Sequence, residues 1–482
     1  MAGIEELDVV IVGAGISGIS MAHQIGVDHP GLSYAVIENR ERIGGTWDLF
    51  RYPGIRSDSG MGTFAFSFKP WTGEKHFGRG TEIRDYLEET AAEFGIERHI
   101  RFRQRVAAAD WDSGSARWTV TVEDPENGRS QIRCRFLIGC TGYFRYDQGF
   151  APAFQGEEDF EGELFHAQHW PEGIEIRDRD VAVVGSGATA ITVVPALADA
   201  GARVTMLQRS PSYVVSIPDS GGIGDLIHRF FSRKRAAWLN RWLGVLMEIA
   251  QFNLARKFPD FFRRLFISGA RKQLPFGFER RHLNPKYDPW TQRVCFAPDG
   301  DFFAALSSGQ ARIETGNIER ISSDRIHLRE GGEIKADVIV KATGLELLIF
   351  GDIEMSVDGA RVNPPEHLVY KGAMLSEVPN FVFVVGYTNA SWTLKSELIS
   401  RFASRFISEV EASGARSGMP VAPQKQMETV PLLNLDSGYI KRAQSRLPLA
   451  GDTSPWVLHQ NYFSDRRELL RADMRDGAIT YS

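Results

Sequence analysis

Two short glycine-rich runs carry the first chemistry in this sequence. Gly13-Ala-Gly15-Ile-Ser17-Gly18 follows the apolar run that starts at Asp8, and Gly185-Ser186-Gly187-Ala188-Thr189-Ala190 follows the run that starts at Asp180. In such a turn the first glycine permits a tight bend, and the second lets backbone amides approach a pyrophosphate. The third position packs the helix on the strand, and the helix N-terminus adds partial positive charge. Both runs stand after a strand and before a helix, the context that gives a G-x-G-x-x-G match its meaning. Glu38, 25 residues after Gly13, can accept hydrogen bonds from both ribose hydroxyls of an adenosine. The second copy carries no acid at the matching place. Arg209 stands there, 24 residues after Gly185, with Ser210 beside it. A guanidinium suits a 2′-phosphate that a carboxylate would repel. The first turn is therefore expected to hold FAD, and the second NADPH rather than NADH.

Each turn needs a β-α-β unit to hold it, and the first glycines of the two copies lie 172 residues apart. The expected fold is α/β, with two Rossmann-like dinucleotide-binding domains, one for FAD and one for NADP, and a helical insertion. Residues 1–145 read as the first part of the FAD domain. Residues 146–220 and 290–335 read as the NADP domain, and 221–289 as the insertion. Paired strand signals at Phe136–Gly142 and Asp337–Gly344 suggest that the chain leaves the first domain near 145. It returns near 340, so 336–482 is read as the return and a C-terminal covering segment. The chain has 482 residues, 43% apolar and 24% charged, enough for sizeable cores and against wholesale disorder. A net charge of −5 gives no footprint for nucleic acid over the whole chain. Three cysteines without a CxxC argue against a disulfide framework or a zinc site and fit a reducing compartment. The first strand starts too early for a signal peptide, and no eighteen-residue window could span a bilayer, so a cytoplasmic protein is expected.

Between the two cradles lies Phe160-Glu-Gly162-Glu-Leu-Phe-His166-Ala-Gln-His-Trp170-Pro171. This resembles the FxGxxxHxxxW(P/D) signature of the Baeyer–Villiger flavin monooxygenases, and Gly44-Gly45-Thr46-Trp47 through Asp58 is similar to that family's second signature. The resemblance implies FAD contacts at Gly13, Gly15, Ser17, Gly18, Glu38, Thr46, Trp47, Asp48 and Leu49, with Val106 meeting the adenine through its backbone. It implies NADPH contacts at Arg56, Ser57, Asp58, Gly185 to Ala190, Arg209 and Ser210. It also makes Arg293 the active-site arginine, held and tuned by Asp58. The implied reaction converts ketones and dioxygen to esters or lactones through a C4a-peroxyflavin, with sulfides or thioamides as targets of a second, S-oxygenating activity. Many members carry Lys just before the arginine. Here Gln292 stands there, which softens the expected preference for NADPH.

His166 is expected to position the NADP domain from the linker rather than to touch substrate. With His169 it makes no metal pair, because no Cys or carboxylate clusters with them and a flavin needs no metal. A disulfide reductase would share the two-cradle layout but needs a redox CxxC. A heteroatom-oxygenating flavin monooxygenase is the nearer alternative, although its fingerprint usually ends in Tyr or Phe. Residues 228–273 hold eleven Lys or Arg against Glu248 and Asp260, with Trp and Phe interleaved. Such a run is more often a solvated helix face, and it also fits weak contact with an anionic membrane surface. That segment is the sole support for a non-enzyme reading, a flavoprotein acting as a redox or membrane-surface binding module.

Overall fold

The computed structural model describes residues 4–73, 75–221, 223–423, 427–433 and 436–482. The β-branched run ending at Val12 forms β1 (Glu5–Val12), and the first glycine turn leads from it into α1 (Ile16–Asp28). β1 pairs in parallel with β2 (Tyr34–Ile37) on one side and with the end of a long strand on the other. That strand closes an antiparallel meander of β3 (Arg105–Asp112), β4 (Arg117–Asp124) and β5 (Gly128–Gly139). The result is a mixed nine-stranded sheet, extended at its edges by Ile100–Arg101, Glu354–Val357 and Ala360–Arg361. In its middle, Phe381–Phe383 joins β5 in parallel.

The second unit is a parallel five-stranded sheet. Its strands are β6 (Glu163–His166), β7 (Asp180–Val184), β8 (Arg203–Gln208), β9 (Ala311–Thr315) and β10 (Val338–Lys341), in the spatial order β9-β8-β7-β10-β6. The second glycine turn joins β7 to α2 (Ala188–Asp199). This is the expected α/β architecture. One expectation is corrected. The run from Asp337 reads as the start of the return at 336, yet β10 lies between β7 and β6 in the second sheet. Its four residues are all buried, as a strand covered on both faces must be. The chain therefore returns to the first sheet only after Lys341.

After β8 the chain forms α3 (Ile223–Phe230), α4 (Arg233–Lys257) and α5 (Pro259–Lys272), and a further short helix, Asp301–Ser307, precedes β9. Arg241, Val245 and Glu248 recur at helical spacing along the inner side of α4. Arg241 pairs with Glu397 on the long helix α6 (Trp392–Ala412). Val245 packs on Tyr387 and Leu394, and Glu248 accepts hydrogen bonds from Thr63 Oγ1 at 2.6 Å and the Ser391 amide at 3.0 Å. The insertion is thus clamped to the segment 387–392. Among the described residues, no helix is long and apolar enough to cross a membrane.

Candidate active site

The turns after β1 and β7 open on one cavity of about 1210 Å³, in the crevice beyond the strands' carboxyl ends where open α/β sheets bind ligands. The first turn is closely walled. Gly13 has φ +103°, and a Cβ there would lie 2.6 Å from the carbonyl oxygen of Cys140, so only glycine fits. A Cβ on Gly15 would meet Gly45 Cα at 3.6 Å, which shows how near the second signature loop approaches. α1 has no acid in its first turn and no side-chain cap, so its terminal amides are free to meet an anion. Glu38 is buried. Its Oε2 accepts from the Ala14 amide at 2.6 Å and its Oε1 from the Arg40 amide at 2.8 Å. Burial pushes its pKa above the ordinary carboxylate value, against the pull of these two N–H groups. Each oxygen keeps a second lone pair for a ribose hydroxyl.

The second turn is built alike but left open. Gly185 has φ +144° and a Cβ there would stand 2.2 Å from the Ala342 carbonyl oxygen, whereas a Cβ on Gly187 would meet nothing within 4 Å. α2, like α1, has an uncapped N-terminus without acid. Arg209 and Ser210 line the cavity just past β8. The neighbouring end of β9 is tied there, since the Gly316 amide donates to the Gln208 carbonyl at 3.0 Å. Arg329, which the sequence reading missed, reaches the same rim because its amide donates to the Asn317 carbonyl at 2.9 Å. Both arginines are exposed, and neither forms an ion pair among the described residues.

Between the cradles, Arg293 Nη2 lies 3.1 Å from Asp58 Oδ2, and both line the cavity. Burial works against the guanidinium charge, but the Asp58 carboxylate and the Tyr143 and Tyr439 hydroxyls outweigh it and raise the Arg293 pKa. Burial pushes the neighbouring Cys295 thiol up to about 12, so it is neutral at ordinary pH. Aromatic walls close this region: Trp392 stacks on Tyr143 with ring centroids 4.8 Å apart, and its Nε1 donates to Ser17 Oγ at 2.9 Å. Arg56 pairs with Asp301 through Nη1, while its buried Nη2 has no partner, an orphan donor at the cavity wall. Ser57 is buried and bonded to the Gly78 amide at 3.1 Å.

Thr46, Trp47, Val106, Ser186, Ala188 and Thr189 also line the cavity. Gly18, Asp48, Leu49 and Ala190, expected as contacts, do not line it. Thr46–Leu49 is a single helical turn, so its second half faces away from its first. Asp48 there pairs with Arg40, whose Nε lies 2.8 Å from Oδ2, and Leu49 packs against the second unit. Gly18 sits against the Gly13 carbonyl, and Ala190, in the first turn of α2, is fully buried. His166 stands away from the cavity. Its Nε2 donates to the Gly344 carbonyl at 3.0 Å and its Nδ1 accepts from the Gln168 amide at 3.1 Å, joining the two crossings between units. Gly162 is squeezed between the Asp337 carbonyl and the Phe160 ring, and Trp170 packs edge-on against Phe165 at 5.1 Å, with Pro171 half-buried next to it.

The flavin-binding monooxygenase-like family model matches residues 6–263. The FAD-containing monooxygenase EthA of Mycobacterium tuberculosis (strain ATCC 25618 / H37Rv) is 45% identical over 480 residues, covering 99% of this chain and 98% of the relative. The probable FAD-binding monooxygenase AlmA of Acinetobacter baylyi (strain ATCC 33305 / BD413 / ADP1) is 41% identical over 479 residues, covering 99% and 96%. Among solved structures, oxidized steroid monooxygenase bound to NADP has a TM-score of 0.73 at 23% identity, with 86% of this chain and 88% of that chain covered. Cyclohexanone monooxygenase bound to epsilon-caprolactone has a TM-score of 0.72 at 22% identity, covering 86% and 90%.

Proposed function

The chain belongs to the flavin-binding monooxygenase-like family, an FAD-containing oxygenase, and from that premise we propose that it is an NADPH- and dioxygen-dependent Baeyer–Villiger monooxygenase. Its substrates in this reading are ketones, which become esters or lactones, with sulfides or thioamides oxygenated at sulfur as a second activity. The observation that carries it is the Arg293–Asp58 pair on the wall of a cavity shared by both glycine turns. Bound FAD, reduced by hydride from NADPH, supplies the activation of dioxygen.

The protein's own groups do the rest. The α1 amides and Gly15 hold a pyrophosphate, and Glu38 fixes a ribose by accepting from its hydroxyls. Arg293 keeps a permanent positive charge where negative charge develops on the substrate's carbonyl oxygen, and a planar guanidinium presents several donors to it. Asp58 orients that guanidinium. Arg209 and Arg329 meet the 2′-phosphate of NADPH, and Arg329 stands in for the cation that Gln292 lacks. The orphan Nη2 of Arg56 is a further donor for that coenzyme.

The test is product mass under ¹⁸O₂ across aliphatic, cyclic and aryl ketones and one sulfide. One labelled oxygen in an ester or lactone supports the reading. Labelled sulfoxide without ester from any ketone class would make the protein a heteroatom oxygenase instead.

A further inference from the structure

We infer that α3, α4 and α5 form a docking face for an anionic phospholipid bilayer. Seventeen large apolar side chains are strongly exposed among the described residues, and eleven of them lie between Leu226 and Phe276. Monomeric proteins seldom crowd apolar groups in this way without a partner surface. On α5, Phe261 and Leu265 are exposed on one side with Arg264 and Lys272, at spacings of three, four and eleven residues, which keeps them on one helical face. On α4, Leu246, Leu254 and Lys257 continue the pattern on the side away from Val245 and Glu248. Trp238, at 60% exposure near the start of α4, and Phe230, at 72% on α3, add exposed apolar area.

The charge on this face selects the occupant. Of the eleven Lys and Arg between 228 and 273, Arg241 and Arg263 are taken up by Glu397 and Asp288. The other nine are exposed and form no ion pair among the described residues, against the one exposed acid Asp260. A protein with net charge −5 has gathered unneutralised cations onto its most apolar surface. A second copy of the chain would bring like charges together across a two-fold interface. Five of the eleven, Leu226, Leu246, Met247, Leu254 and Leu265, are aliphatic and give bases nothing to stack on, whereas aliphatic and aromatic side chains alike enter an acyl boundary. An interfacial helix pair with apolar side chains in the acyl boundary and cations at anionic headgroups satisfies both features. Among the described residues no helix is long and apolar enough to cross the bilayer, so in this reading the face lies on it.

The experiment is co-sedimentation of the holoprotein with vesicles of phosphatidylcholine containing 30% phosphatidylglycerol, and with phosphatidylcholine alone. Binding is expected to the anionic vesicles and to weaken as salt is raised. Each surface cation contributes about fivefold to partitioning, so the triple change Arg233→Gln, Lys234→Gln, Arg235→Gln should lower it about a hundredfold. A second set on α5, Arg264→Gln, Arg271→Gln, Lys272→Gln, should do the same, and Phe261→Ser with Leu265→Ser should abolish residual binding at high salt. Flavin content and circular dichroism identify any set that misfolds, and the other then decides. Equal binding to both vesicle types, or none, overturns the inference. So does a dimer in sedimentation velocity that Phe261→Ser dissolves, or single-stranded nucleic acid binding that the same charge changes remove.

Discussion

The two glycine turns are copies of one device, yet their surroundings differ in how closely they are walled and in the charge beside them. At the first, Gly45 closes over Gly15, and Glu38 is buried with both oxygens already fixed by backbone amides. At the second, the space over Gly187 is open, and two exposed arginines, Arg209 and Arg329, stand at the rim. A walled cradle with a rigid acceptor suits a group that is held through many turnovers. An open cradle with solvated cations suits one that exchanges, because charge steering speeds its arrival while little closes behind it. The repeat sets the common geometry, and the environment sets residence time.

Blocking each turn separately should break the comparison most sharply. Gly13→Val drives a side chain into the Cys140 carbonyl and should give protein without FAD, read by its absorbance spectrum. Gly185→Val meets the Ala342 carbonyl and should stay yellow while losing flavin reduction by NADPH. Colourless protein from Gly185→Val would mean that the two units do not bind independently.

Arg293 belongs to neither turn, and its removal should spare both. Arg293→Ala should retain FAD and continue to oxidise NADPH, with electrons released as hydrogen peroxide. Oxygenated product should fall by roughly 10²–10³-fold, the cost of removing one preorganised donor from a developing oxyanion. Near-parental product formation would make the Arg293–Asp58 contact an ordinary ion pair.

Which parts of this site could be read from sequence follows from how each is built. Gly13 and Glu38 lie at a fixed distance along one β-α-β unit, and Gly185 and Arg209 along the other, so local spacing encodes the meeting within each pair. Arg329, Trp392 and Tyr439 reach the cavity from separate elements, and no local pattern ties them to it. Asp48 follows Trp47 in the same motif, but a helical turn sends neighbours to different sides, and Asp48 is held by Arg40 instead of lining the cavity. The run Val338–Lys341 reads as part of the return to the first sheet, because a strand buried on both faces looks the same whichever partners it has. The inner and outer sides of α4 repeat at helical spacing in the sequence, but only the contact with Glu397 and Ser391 shows which side faces inward.

At the open cradle, Arg209→Ala should raise KM for NADPH about 10- to 100-fold while leaving KM for NADH nearly unchanged, as expected for one charge-assisted contact. Arg329→Ala should act in the same direction, and the pair together should bring the two coenzymes close to parity. Calorimetry with 2′,5′-ADP against 5′-AMP gives the same comparison without turnover. If Arg329→Ala affects both coenzymes equally, the 2′-phosphate is read by Arg209 alone.

At the walled cradle the smallest effect should appear as a pH dependence. Glu38 serves the ribose only as a carboxylate, because protonation converts one acceptor oxygen into a donor that would face the Ala14 or Arg40 amide. Burial raises its pKa above the ordinary glutamate value in the folded protein. For folding alone the sign is clear: its contribution is most favourable below the unfolded pKa and is lost as pH rises through the raised folded one. For FAD retention the sign is opposite, since the ligand needs the ionised form. Flavin release on acidification should therefore begin at a higher pH than an exposed glutamate would give, before global unfolding followed by circular dichroism. Glu38→Gln keeps the shape but sets its side-chain NH2 against the Ala14 or Arg40 amide, leaving one donor without its acceptor, a loss of about 1–2 kcal/mol or roughly 5- to 30-fold in FAD affinity near neutral pH. That variant should also flatten the acid limb, because the titrating group is gone. An unchanged acid limb in Glu38→Gln would assign the release to another group and leave Glu38 as a structural brace of the turn.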